Sequence, residues 1–153
     1  MRARLALVAV VFAAGVSVAA ASLAASGSTA STVVLGSAAF AGQGGEGWGT
    51  SRPTRIFNGG DPSGLVKEIQ WASWGGSTAI GYGLTFIFKP HGGYYSEPVL
   101  VVLRASGLGK CTAKGPRAYA HLSVRNPERP EGSLGPWSSW SGTKSLCKFG
   151  FGA

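Results

Sequence analysis

Period-two alternation of apolar and polar residues recurs along the chain after Gly27, and no stretch there carries apolar residues at helical spacing for three turns. The clearest alternation runs from Ile80 to Lys89. Ile80, Tyr82, Leu84, Phe86 and Phe88 fall on one side, and Gly81, Gly83, Thr85, Ile87 and Lys89 on the other, which predicts a strand with one bulky apolar face and one small or polar face. Ahead of it, Leu65, Lys67, Ile69 and Trp71 share a face, while Glu68, Gln70 and Ala72 take the other. The tetrad Trp74-Gly75-Gly76-Ser77 between the two segments has turn chemistry, so together they predict a hairpin.

Pro98 then opens Val99-Leu100-Val101-Val102-Leu103, a continuous run rich in β-branched residues, of the kind buried on both faces and expected at the centre of a sheet. Ala118 to Arg125 predicts another strand, and Trp137–Ser141 and Leu146–Phe151 predict two short final ones. Gly, Pro, Asn and Asp clusters at 58–64, 90–93 and 126–132 separate these segments. Short strands at this spacing place the chain in the all-β class, as a small antiparallel sandwich or barrel.

The N-terminus breaks the pattern. Met1-Arg2-Ala3-Arg4 is positive, Leu5–Val18 is uncharged and apolar, and small residues follow, with sites for cleavage after Ala21 or near Ala25. This is the layout of a secretory signal peptide. An uncleaved anchor, the alternative, needs about 18–20 apolar residues and is reached only by counting the alanines. The division expected is a signal peptide at 1–25, a flexible Gly/Ser/Ala-rich arm at 26–51 and a β domain at 52–153. A few apolar residues in the arm, Val33-Val34-Leu35 and Phe40, offer an added N-terminal strand instead. No lipidation cysteine or C-terminal hydrophobic anchor is expected, so the exported chain is read as extracellular, without a transmembrane anchor.

Export changes the reading of Cys111 and Cys147, the chain's two cysteines. In an oxidising compartment such a pair without metal-ligand neighbours is a disulfide, here closing a loop of 36 residues. The chain-entropy cost it removes from the unfolded state corresponds to about 3–4 kcal/mol. Export also trims the charge. The whole chain carries +8, and losing Arg2 and Arg4 leaves twelve basic residues against six acidic ones, a net +6. Such a field favours anionic partners, although the cations are scattered and form no run that would mark specific nucleic-acid binding.

Catalytic parts are sparse. His91 lies in a Gly/Pro turn, His121 in a strand, and Asp61 in a turn it is expected to cap; no serine sits in a nucleophile elbow. A glycosidase pair would have to be drawn from Glu68, Glu97, Asp61, Glu128 and Glu131, and the histidines stand thirty residues apart, too dispersed to suggest zinc. No enzyme, cofactor or metal is therefore expected. Two tetrads of the form Trp-x-Ser-Trp, Trp71–Trp74 and Trp137–Trp140, carry the candidate binding chemistry. Residues three apart on a strand point to opposite faces, so each tetrad can offer one Trp to the core and one to a partner; core packing of both, with Gly81 and Gly83 leaving room for a ring, is the favoured reading of the two. Trp74, Trp140 and His91 are the candidate ligand-binding residues.

The segment Ile69–Gly83 resembles a pattern, I-x-W-x-x-W-G-x-x-x-A-x-G-x-G, of small secreted proteins from actinomycetes and mycobacteria with no assigned function. The resemblance covers about fifteen residues, implies an exported bacterial β domain, and carries no catalytic residues over. The function expected is a secreted, non-enzymatic binding module for cell-wall glycans or anionic polymers, with a protein partner also open. A secreted inhibitor of a protease or lysozyme, using the loop Asn126–Gly132, is the alternative.

Overall fold

The computed structural model describes residues 32–148. The expected signal peptide, the first residues of the arm and the end of the last expected strand, Phe149–Phe151, lie outside them. Among the described residues there are seven strands: β1 (Val33–Leu35), β2 (Ile56–Phe57), β3 (Leu65–Trp71), β4 (Ala79–Thr85), β5 (Val99–Lys110), β6 (Arg117–Arg125) and β7 (Ser138–Ser139). They form one sheet in the order β1-β6-β5-β4-β3-β2, with β7 also pairing β6, and the sheet curls into a half-barrel. Among the described residues the only helical segments are three 3-10 turns, Ala38–Phe40, Pro62–Gly64 and Trp140–Gly142.

The expected all-β class and the β3–β4 hairpin are both present, the hairpin with Trp71 opposite Gly81 and Lys67 opposite Leu84. The sheet is mixed rather than purely antiparallel. One edge of β6 is shared by two short strands: β1 runs parallel to Arg117–Tyr119, and β7 runs antiparallel to Ser123 and Val124. No hairpin joins β1 to its neighbour, so nothing in the connection forces an antiparallel pairing.

The two faces of β4 are the reverse of what bulk suggests. Ala79, Gly81, Gly83 and Thr85 face the core, while Ile80, Tyr82 and Leu84 face outward, Tyr82 with 44 % of its surface exposed. The volume comes from β3. A Cβ at Gly81 would lie 2.9 Å from the Trp71 ring, and one at Gly83 2.6 Å from a Val66 methyl. Large side chains from the neighbouring strand occupy the space that the glycines leave, so the small face is the packed one.

A second departure comes from a β-bulge in β3. The register shifts between Lys67 and Gln70, and Glu68 sits at φ 55°, in the left-handed region. Val66 and Ile69, an odd number of residues apart, are therefore both buried, whereas simple alternation puts Leu65 with Ile69. β5 also corrects its forecast. It runs for twelve residues and alternates: Val99, Val101, Leu103 and Ala105 are buried, but Leu100 is 57 % exposed, because among the described residues no second layer covers the outer face.

The core draws on both ends of the described chain. Val33, Leu35 and Trp48, all from the segment expected to be a flexible arm, pack into it. The added N-terminal strand is thus the reading that holds from residue 33, and the domain starts well before Arg52. At the other end, Leu146 is not in a strand. It is a buried plug whose N–H donates to Ala120 O (2.7 Å) and whose carbonyl accepts from Ser37 N (3.2 Å). Gly36 permits this approach, since a Cβ there would lie 2.6 Å from Leu146 Cβ. The expected Cys111–Cys147 disulfide is formed and ties this plug to the start of the β5–β6 connection. The strand expected at Trp137–Ser141 shortens to Ser138–Ser139, because Trp140 begins a tight turn in which Ser141 has φ 52°.

Candidate functional site

A curled sheet has a concave interior that must be closed at each end or left open. At the end where β3 and β5 begin and β4 and β6 finish, it opens into a cleft of about 350 Å³. The inward residues Val66, Thr85, Ile87, Val124 and Ser138 continue the core into its wall. Trp140 lies at its base, only 2 % exposed, tilted against Trp48 with ring centroids 5.4 Å apart. Phe86, Phe88, Asn126, Glu128, Ser139 and Ser141 complete the rim, and no Lys or Arg is among the lining residues.

Local chemistry explains how these side chains are held. Asp61 caps the Pro62–Gly64 turn, as its sequence context predicts, with Oδ1 accepting from Ser63 N (3.0 Å) and Ser63 Oγ (2.6 Å). The Ser63 hydroxyl is the main reason the Asp61 carboxyl titrates below its ordinary 3.8. Tyr94 stands close enough to feel that charge. Its phenol is pushed above 10.0, first by desolvation and then by Asp61. Tyr94 also pairs with Phe88 across an isolated bridge, their rings 4.5 Å apart, and Phe88 is left 54 % exposed at the mouth of the cleft. The Asn58 amide donates to Ser141 Oγ and so links the 58–64 loop to the Trp140 turn. Arg125 secures the other side by donating to Gly135 O (2.6 Å) and Leu134 O (3.2 Å), which holds the loop that carries Asn126 and Glu128.

The buried indole N–H of Trp140 and the Thr143 hydroxyl have no hydrogen-bond partner among the described residues. Buried donors are nearly always paired, so an unused one beneath a cleft is a notable feature of this turn. The other wall groups are mostly committed: Thr85 Oγ1, for example, donates to Leu65 O at 2.5 Å.

The three expected ligand-binding residues do not share this cleft. Trp140 lines it, but from the core. Trp74 lies at the opposite end of the half-barrel, half-buried, with its indole N–H donating to Val33 O (3.0 Å) and its ring edge-on to Trp71 (4.5 Å) and Tyr119 (5.2 Å). The Tyr119 hydroxyl fixes the adjoining turn by accepting from Gly75 N and donating to Gly76 O, both at 2.8 Å. His91 is exposed in its glycine turn and is not among the lining residues. The sequence marks none of Phe88, Asn126 and Glu128 as ligand-binding: Phe88 is there only a strand residue before a proline-containing turn, Asn126 the start of the candidate inhibitor loop, and Glu128 one of several dispersed carboxylates.

The histidine, aspartate and glutamate positions do not assemble into a catalytic group. His121 lies opposite Ser106 on the outer face and is tied by Nδ1 to Lys144 O (2.7 Å), far along the sheet from the Asp61 turn. Glu68 sits in the β3 bulge, 3.8 Å from Lys67. Glu128 is the one carboxylate in the cleft lining, whereas glycoside hydrolysis uses a facing pair. Among the described residues no cluster of three His, Cys, Asp or Glu could hold a metal ion, and no helix is long and apolar enough to cross a membrane. Comparison with protein-family models, curated proteins and solved structures finds no match to this chain.

Proposed function

We propose that this chain is an exported, non-enzymatic binding module that takes a stretch of neutral glycan, of the cell-wall type, in the open end of its half-barrel. The observation that carries this reading is the composition of the cleft. Exposed Phe88, its ring packed against the half-buried Tyr94, stands at the mouth, and hydroxyl, amide and carboxylate groups of Ser139, Asn126 and Glu128 line the rim. Aromatic faces take the apolar face of a sugar ring, and short polar side chains satisfy its hydroxyls. The absence of Lys and Arg from the lining favours a neutral chain over an anionic polymer at this site. The signal-like N-terminus, the Cys111–Cys147 disulfide and the resemblance of residues 69–83 to secreted proteins support export.

Retention on purified cell-wall polysaccharide tests the proposal. Phe88→Ala and Asn126→Ala should each weaken retention about tenfold, the loss that roughly 1.4 kcal/mol at a central contact produces. Retention by the wild-type chain that neither substitution changes would sink it. The inhibitor reading has less support. Within Asn126–Gly132, Gly132 N bonds Arg129 O (3.0 Å) and Glu131 has φ 59°, so the loop presents a tight turn rather than an extended segment.

A further inference from the structure

The outer face of the sheet is the largest feature the cleft does not use. Directly paired residues on neighbouring strands point to the same side, so the registers define this face. Tyr82 lies beside Val102 and Leu84 beside Leu100, forming an apolar centre in which Tyr82 and Leu100 are exposed. Cations flank it on both sides. Lys67 pairs with Leu84 from β3, while Arg104 pairs with Ile80 and Arg125 with Val102 from the β5–β6 side. Trp137 joins them, with the Arg104 and Arg125 guanidinium carbons 4.4 and 5.9 Å from its ring centroid. Glu68, in the bulge, pairs with Lys67 at 3.8 Å at this margin.

We propose that this outer face is a docking surface for an anionic lipid membrane. An exposed apolar centre bordered by cations and by Tyr and Trp matches the layers of a membrane interface, where apolar side chains enter the acyl boundary and long cationic ones reach the head groups. The choice of occupant follows from charge. A second copy stacked on this face would bring Lys67, Arg104 and Arg125 against their own equivalents with too few acids to answer them. The cleft lies at the end of the half-barrel, so lipid docking and glycan binding use different residues and stand independently.

Co-sedimentation with vesicles tests this. The chain from residue 26 onward retains every described residue and omits the apolar run Leu5–Val18, which could enter lipid by itself. It should bind vesicles of phosphatidylcholine mixed with phosphatidylglycerol, bind phosphatidylcholine alone far more weakly, and be released by salt. Lys67→Gln and Arg104→Gln should each lower the partition coefficient about fivefold. Leu100→Ser should lower it on the order of tenfold, and Phe88→Ala should leave it unchanged. Equal binding to both vesicle types would overturn the proposal. So would unchanged binding by Leu100→Ser with displacement by dextran sulfate, which would mark charge-only binding of a polyanion, or a dimer lost in Leu100→Ser without vesicle binding.

Discussion

Gly81 decides which way β4 faces. On bulk alone Tyr82 belongs inside and Gly81 outside, yet the Trp71 ring lies where a Gly81 side chain would be. The two residues therefore respond to substitution in the opposite order from the one their sizes suggest. Gly81→Val should destabilise the protein by about 1–3 kcal/mol, because a packed indole must be displaced. Tyr82→Thr, which keeps strand propensity on the open face, should stay within about 0.5 kcal/mol. Urea unfolding of both variants measures the difference, and a reversed order would mean that β4 packs the other way round.

At the scale of elements, the weakest regular structure is held by the strongest local devices. β1, β2 and β7 have only three, two and two residues, lengths that do not persist as isolated pairs. β1 is kept in place because Leu146 and the disulfide close over its end. The bridge spans 36 residues, so replacing both cysteines, Cys111→Ser with Cys147→Ser, should lower stability by about 3–4 kcal/mol. The urea midpoint should fall and the slope should rise, because the unfolded chain without its cross-link exposes more surface, and an unchanged midpoint would show that packing around Leu146 alone secures β1.

At the scale of the molecule, the half-barrel is closed by residues that look least structured. Val33, Leu35 and Trp48 come from a segment of Gly, Ser, Ala and Thr, but they occupy the core beside Trp140 and Tyr119. Burial of a large apolar side chain contributes about 1.5–3 kcal/mol, so these three approach the lower end of the ~5–15 kcal/mol that holds a domain together. A chain that begins at Arg52 should therefore show no cooperative thermal transition by calorimetry, whereas one that begins at residue 26 should. A cooperative transition in the shorter chain would place the domain boundary where composition alone puts it.

Local periodicity, turn chemistry and cysteine number determined, from sequence alone, that the chain is all-β, that residues 65–85 form a hairpin, that Asp61 caps a turn and that Cys111 pairs with Cys147. Each of these depends on neighbours in the chain or on there being one available partner. What only the tertiary structure decided is which face of each strand is inside, where the domain begins and which residues meet at a site. The alternation of Ile80–Lys89 is the same whichever way the strand is turned, and the choice was made by Trp71 and Val66 filling the space over two glycines. Trp74 and Trp140, alike in sequence context, were sent to opposite ends of the half-barrel, because sheet order rather than motif sets where a side chain arrives. The open cleft exists for the same reason: Phe88 comes from one connection and Asn126 and Glu128 from another, and only the curl of the sheet brings the two together.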